Sequence, residues 1–175
     1  MPTLSSVPEG RILFLTSAID KRAMLETIAF LRKAGEENPS SPVFLVLDSS
    51  GGDVVSGWAI IDCMKLCACP VWTVCLGECD SMAAVIFANG AKGGRIMLPH
   101  AKLMIHQPWG NGAFGIRESE MRLASEQMSK TRAIIEESLS KASGLSLDEV
   151  HSLCEKDFYM SAEESVSLGF ADRIL

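Results

Sequence analysis

The sequence has few aromatic residues and no long apolar run. Aromatic side chains make up 6% of the 175 residues, so few side chains are available for nucleic-acid bases to stack on. The formal net charge is -6, and the sequence has no basic stripe that could bind a phosphate backbone. No apolar run reaches the roughly 18 residues of a membrane span. Residues 1–10 lack the cationic and apolar regions of a signal peptide. We expect a soluble, cytoplasmic protein that binds neither nucleic acid nor membranes.

Six cysteines are present, but no pair has the Cys-x-x-Cys spacing of a metal or redox site. Cys63 and Cys67 are one helical turn apart, and Cys75 lies in an apolar run. We therefore expect free, buried thiols, no metal site and no cofactor. Cys79 is the exception, because it lies two residues before Ser81 and is predicted to be accessible to thiol reagents.

Apolar runs and helical patterns alternate along residues 11–175, after a mobile lead-in predicted for residues 1–10. No linker divides the rest, so we expect a single domain. Strand, helix, strand order predicts an α/β domain with a largely parallel sheet. Predicted strands cover 11–16, 43–47, 71–76, 95–98, 102–106 and 171–175; predicted helices cover 21–34, 54–66, 82–88 and 117–143, with capping boxes at 146–149 and 161–164. The helix 117–143 has an apolar stripe formed by Met121, Ala124, Met128, Ile135, Leu139 and Ala142.

Ser81 opens the predicted helix 82–88 and follows the predicted strand 71–76. Unpaired N–H groups at a helix N-terminus favour negative charge nearby, so Ser81 is a candidate nucleophile with His106 as its base. The flanking residues exclude the Gly-x-Ser-x-Gly elbow. The alternative is that Ser81 is merely a helix cap, and we interpret Asp80 as a cap.

A glycine pair, Gly51 and Gly52, lies between the predicted strand 43–47 and the helix 54–66. Such a turn tolerates positive φ and can aim N–H groups at an oxyanion, although it can also be only a turn. It lacks the lysine of a P-loop and the third glycine of a dinucleotide fingerprint. In a parallel sheet, functional residues belong at the carboxyl ends of strands, where both this turn and Ser81 fall.

Taken together, these features resemble the proteolytic subunit of the Clp protease family over residues 11–175. Four segments carry the resemblance: RILFLT at 11–16, DSSGGDVVSG at 48–57, GECDSMAA with GAKGGRIMLPHAKLMIHQP between 77 and 108, and KDFYMSAEESVSLGFADRIL at 156–175. The resemblance implies a crotonase/Clp-protease-like parallel-sheet core with a protruding strand-helix handle at about residues 110–143. It also implies a serine endopeptidase.

The resemblance assigns roles residue by residue. It implies Ser81 as nucleophile, His106 as general base and Asp157 as the acid that orients the histidine, with backbone N–H groups of Gly52 and Met82 as the oxyanion hole. Glu155 is the fallback for the acid, while His100 and His151 are expected to be surface or structural residues. The implied substrate is an extended, unfolded polypeptide that adds as a strand. Its predicted contacts are Gly51, Asp53, Val54, Gln107, Pro108, Trp109 and Gly110.

The family also implies partners. Its handle joins two seven-membered rings into a 14-subunit barrel, and a Clp-type unfoldase uses ATP to feed chains into the chamber. The alternative for residues 110–115 is a ribbon folded back on its own domain.

Some features depart from the family pattern. Ser50 replaces a proline, Glu78, Cys79 and Asp80 precede the serine where small neutral residues are usual, and we expect no counterpart of the family's N-terminal segment in residues 1–10. Three hypotheses follow: an active peptidase subunit, a weakly active structural or regulatory paralogue in a mixed ring, and a crotonase-type acyl-CoA enzyme.

Overall fold

The computed structural model of the chain describes residues 7–110, 115 and 117–175. Within these residues, strands and helices alternate as the sequence patterns predict. The helices are α1 (Lys21–Glu37), α2 (Val54–Leu66), α3 (Met82–Ala88), α4 (Glu118–Ser143), α5 (Leu147–Cys154) and α6 (Ala162–Ser167), and the strands are β1 (Ile12–Leu15), β2 (Val43–Ser49), β3 (Val71–Asp80), β4 (Arg95–Met97), β5 (Lys102–Ile105), β6 (Phe158–Met160) and β7 (Arg173–Ile174).

The sheet is parallel, as expected, apart from one pairing. Its main order is β1-β2-β3-β4-β7, and all of these pairs are parallel. Strand β5 pairs in parallel with β3, whereas β6 pairs antiparallel with β5. Since helices follow β1, β2 and β3, the chain has the α/β architecture that alternating elements predict.

Strand β3 is longer than predicted, and its two halves have different neighbours. Residues 73–75 pair with β4, while residues 78–80 pair with β5. The predicted strand ended at Leu76 because the next residues lose the apolar pattern: Leu76, Gly77 and Glu78 are exposed. Pairing with β5 nevertheless extends β3 to Asp80, so Ser81 directly follows the strand.

Local sequence signals account for the helix starts. Asp53 accepts the N–H of Ser56 at 2.8 Å and starts α2, whose bounds are as predicted. Both predicted capping boxes form, at Ser146 with Glu149 and at Ser161 with Glu164. The main core lies between the sheet and the helices, with Phe87 and Phe170 among its largest buried side chains.

Two predictions about burial need revision. Cys79 is fully buried, so the expectation that it is accessible is wrong, although all six thiols are free as expected. Helix α4 buries Ile135, Leu139 and Ala142, but the first half of its apolar stripe is exposed, with Met121 at 56%. Residues 1–6 of the predicted lead-in, residues 111–114 of the predicted ribbon and residue 116 of the predicted handle lie outside the described residues. None of the described helices is long and apolar enough to span a membrane.

Candidate active site

Ser81 occupies a strained turn between β3 and α3. Its φ of 55° is the one positive value among the described residues other than glycine. A non-glycine residue keeps such a backbone only where its surroundings fix it, and such residues cluster at functional sites. Here the Ser81 N–H donates to the Met104 carbonyl at 2.8 Å. Ser81 stands at the N-cap position of α3 but makes no side-chain capping bond, which leaves its hydroxyl free for another partner.

That partner is His106. The distance from Ser81 Oγ to His106 Nε2 is 2.8 Å, within hydrogen-bond range. The contact follows from the sheet: Ser81 follows β3, His106 follows β5, and these strands are parallel neighbours whose ends meet at one edge. The sequence predicted both strands, but it did not predict that β3 and β5 are neighbours in the sheet.

The short strand β6, which was not predicted, brings Asp157 to the same place. Ile105 pairs with Phe158 in the antiparallel β5-β6 register, so the residues on either side, His106 and Asp157, face each other. Asp157 Oδ1 lies 3.7 Å from His106 Nδ1, and the Asp157 side chain is 61% exposed. This distance exceeds that of a formed hydrogen bond. The two groups are therefore adjacent but not hydrogen-bonded.

Two backbone N–H groups beside Ser81 are available to a ligand. Met82 is the first residue of α3, where a helical N–H has no partner within the helix. Gly52 forms a parallel bridge to Ile19 in which Gly51 supplies the acceptor and Asp53 the donor, so the bridge leaves the Gly52 N–H unused. An added Cβ on Gly51 would lie 3.0 Å from the Met82 nitrogen, which places this turn against the start of α3.

The glycine turn is held without the proline of the family pattern. Gly51 and Gly52 both have positive φ, at 92° and 148°, which side chains disfavour. Ser49 Oγ accepts the Gly51 N–H at 3.2 Å and donates to the Ser17 carbonyl at 2.7 Å. The position of the turn therefore depends on Ser49 and on the bridge to Ile19.

A cleft of about 810 Å³ passes over Ser81 and His106. Of the predicted substrate contacts it is lined by Gly51, Val54, Gln107, Pro108 and Trp109. Asp53 and Gly110 do not belong to this lining in the described part of the chain, and Asp53 instead caps α2. Trp109 is 75% exposed.

Asp80 is a feature of the site that the sequence interpretation missed. It is not a cap, because α3 begins two residues later and Asp80 ends β3. Its Oδ1 is buried without a hydrogen-bond partner among the described residues. Desolvation, followed by the nearby charges of Glu78 and Asp157, raises the pKa of Asp80 to about 6. Burial similarly raises the pKa of the Cys79 thiol, so its reactive thiolate is disfavoured.

The remaining candidates make no hydrogen bond with Ser81 in the described part of the chain. His100 is exposed and lines a separate surface pocket with Tyr159. His151 contacts Glu136 at 2.9 Å, as a structural residue would. Glu155, the fallback acid, pairs with Arg132 at 3.0 Å. Within residues 7–110, 115 and 117–175, no group of three His, Cys, Asp or Glu side chains is arranged to hold a metal ion.

Fold and site together define an α/β protein with a serine and a histidine paired at the carboxyl edge of a parallel sheet. The chain belongs to the Clp protease family, whose model matches residues 2–175. It is 36% identical over 171 residues to the ATP-dependent Clp protease proteolytic subunit of Streptococcus suis, covering 98% of this chain and 87% of that protein. The Streptococcus pneumoniae subunit is 37% identical with the same coverage.

Proposed function

We propose that this chain is a serine-type endopeptidase subunit that cleaves unfolded polypeptides through an acyl-enzyme intermediate. The observation that carries the proposal is the 2.8 Å contact between Ser81 Oγ and His106 Nε2 at a backbone turn with positive φ. A serine hydroxyl is a poor nucleophile until a base removes its proton, and an imidazole nitrogen at this distance is such a base.

In the proposed reaction, His106 accepts the Ser81 proton as Oγ attacks the scissile carbonyl, and it then protonates the leaving amine. In the second half of the reaction, His106 takes a proton from a water molecule, which attacks the acyl-enzyme and releases the acyl group. The N–H groups of Gly52 and Met82 stabilise the tetrahedral oxyanion, and such a donor contributes about 3 kcal/mol. Asp157 orients His106 and stabilises the imidazolium once the 3.7 Å gap closes.

The substrate is proposed to lie extended in the cleft between the glycine turn and the segment after His106. Val54 and Pro108 both line this cleft, and main-chain pairing there is compatible with many sequences. The relatives are named as proteolytic subunits of an ATP-dependent protease. By that relationship we expect this chain to assemble into heptameric rings, with itself or a paralogue, and a partner unfoldase to use the ATP.

A second candidate is a weakly active structural or regulatory subunit of a mixed ring. Two observations favour it: Asp157 is not hydrogen-bonded to His106, and Asp80 places a further carboxyl beside the nucleophile. The missing hydrogen bond and the additional carboxyl would each weaken the activation of Ser81 as a nucleophile without altering the fold.

Reaction with a fluorophosphonate probe separates the two. If the chain is an active peptidase, the purified protein should be labelled rapidly, and Ser81→Ala should abolish the labelling. The control is Ser125→Ala on the exposed part of α4, which should be labelled like the wild-type protein. Absence of Ser81-dependent labelling, alone and after mixing with a paralogue, would reject the peptidase proposal. Native mass spectrometry of the same samples counts the subunits.

A further inference from the structure

A cluster of polar side chains connects helix α4 to the two segments that carry His106 and Asp157. It consists of Gln107, Arg132, Glu136, His151 and Glu155, and we refer to it as the clamp. Arg132 and Glu136 lie on α4, His151 lies on α5, Gln107 follows β5, and Glu155 directly follows α5.

Arg132 is the centre of the clamp. Its Nε donates to Glu136 Oε1 at 2.6 Å, one terminal nitrogen donates to Gln107 Oε1 at 3.1 Å, and the other donates to Glu155 Oε1 at 3.0 Å. The planar guanidinium presents these donors in a fixed arrangement, so the three acceptors are held relative to one another. Lysine has a single charged nitrogen and cannot reproduce this geometry.

Glu136 fixes the orientation of Arg132. Its side chain is 6% exposed, and its second oxygen contacts His151 Nδ1 at 2.9 Å. A buried carboxylate needs a hydrogen bond to each oxygen and a nearby positive charge, because desolvation is otherwise costly. Glu136 therefore holds Arg132 in one direction, toward the active-site segments rather than toward solvent.

The backbone of those segments is bonded to the same residues. Gln107 follows His106; its N–H donates to the Cys154 carbonyl at 2.7 Å and its side-chain amide donates to the Glu155 carbonyl at 3.0 Å. Glu155 lies two residues before Asp157. Gln107 and Glu155, the two partners outside α4 to which the Arg132 fork donates at 3.1 Å and 3.0 Å, thus belong to segments that carry a candidate active-site residue, and His151 is a longer contact at 3.4 Å.

Asp157 is held by its backbone, because the next residue, Phe158, pairs with Ile105 of β5. Its side chain is exposed and makes no hydrogen bond with any residue the structure describes, and its 3.7 Å contact with His106 is just beyond bonding range. A shift of less than about 1 Å in either segment would form or abolish that hydrogen bond. The distance is therefore set by how the two backbone segments are held.

We infer that Arg132 is a positioning residue that, through Gln107 and Glu155, sets the distance between His106 and Asp157 from helix α4. This inference rests on the proposed peptidase function. Arg132 is not itself among the residues that line the cleft, and it reaches the site only through Gln107 and Glu155, so its effect passes through the two segments.

The test compares rates of Ser81 acylation by a fluorophosphonate in the full-length protein. Arg132→Met is expected to slow acylation about 10- to 100-fold, because misplacing a catalytic group by about 1 Å has effects of this size. The matched control is Glu137→Gln, which removes an exposed ion pair with Lys141 on the same helix. It should label at the wild-type rate.

A double-mutant cycle distinguishes positioning from a general loss of structure. If Arg132 acts through Asp157, its effect should be lost once Asp157 is removed. In a protein that carries Asp157→Ala, Arg132→Met should therefore slow acylation less than about threefold. Acylation is a single covalent event, so slow variants can be followed over hours to days. An equal slowing in both backgrounds, or no slowing in the wild-type background, would overturn the inference.

A gentler variant covers the case in which Arg132→Met does not fold. Glu155 is 57% exposed, so Glu155→Gln is tolerated while its charged contact with Arg132 is lost. It should slow acylation severalfold, and again only when Asp157 is present; unchanged labelling would reject the inference. Absence of Ser81-dependent labelling in the wild-type protein is a separate result, which rejects the proposed function and this inference with it.

Discussion

Replacing Asp80 by asparagine is expected to stabilise the protein at neutral and alkaline pH but not in acid. The substitution keeps the shape of the side chain and removes its charge. Asp80 has one buried oxygen without a partner among the described residues, and it faces the negative charges of Glu78 and Asp157, with Lys102 as the opposing charge. Burial is the largest contribution to its raised pKa.

The size and sign of the effect follow from linkage. The pKa of Asp80 rises from 3.8 to about 6, which corresponds to roughly 3 kcal/mol for a fully desolvated group. Asp80 is only partly buried, so solvent screening reduces this to about 1 kcal/mol. Below pH 3.8 the group is protonated in both states and carries no penalty. The penalty grows as pH rises through 6 and is constant above that value.

Thermal unfolding at pH 4 and pH 8, at one protein concentration, measures the difference. A change of about 1 kcal/mol moves the Tm of a domain of this size by about 2–4 °C, so Asp80→Asn should raise Tm by that amount at pH 8 and much less at pH 4. Asp62→Asn, an exposed carboxylate on α2, is the control and should show no such pH dependence. Equal shifts at both pH values, or a lower Tm at pH 8, would refute the reasoning.

Other substitutions probe the turn, the sheet and the thiols. Gly51→Ala should abolish probe acylation, since its Cβ would lie 2.8 Å from that of the nucleophile, whereas Gly93→Ala has positive φ but open space and should label normally. Asp172→Ala should lower the free energy of unfolding by about 3 kcal/mol in urea, because it leaves the buried Arg95 uncompensated. Cys79 should resist thiol reagents until the protein unfolds; mass spectrometry showing its modification in the native protein would contradict its burial.

Where structure depends on neighbouring residues, the sequence was a sufficient guide. The bounds of α2 and α3 were predicted because a glycine turn, capping residues and a short apolar run all lie within a few positions. The rule that strand ends carry function placed Ser81 and the glycine turn at the carboxyl edge of the sheet, and His106 was proposed as the base of Ser81 without a prediction that their strands are neighbours. The structure places them 2.8 Å apart.

What the sequence did not reveal depends on pairing between distant segments. Strand β6 has three residues, too few for a period to be recognised, and exists through its pairing with β5. Asp157 was identified only through the resemblance to the family, because the periodicity of the sequence does not indicate that it lies near His106. The stripe on α4 shows the same limit: periodicity identified an apolar face, but it does not indicate which part another element covers.

Two consecutive residues, Asp80 and Ser81, break local rules in different ways. Ser81 holds a positive φ, and Asp80 leaves a buried oxygen unpaired. Both are unfavourable for folding, and such deviations are expected where function competes with stability. Their causes are independent, however: the Ser81 backbone is fixed by its bond to the Met104 carbonyl and by the packing of Gly51, neither of which involves the Asp80 carboxyl. The strain at the serine is thus a property of the strand ends, whereas the penalty at Asp80 is a property of its buried carboxyl group.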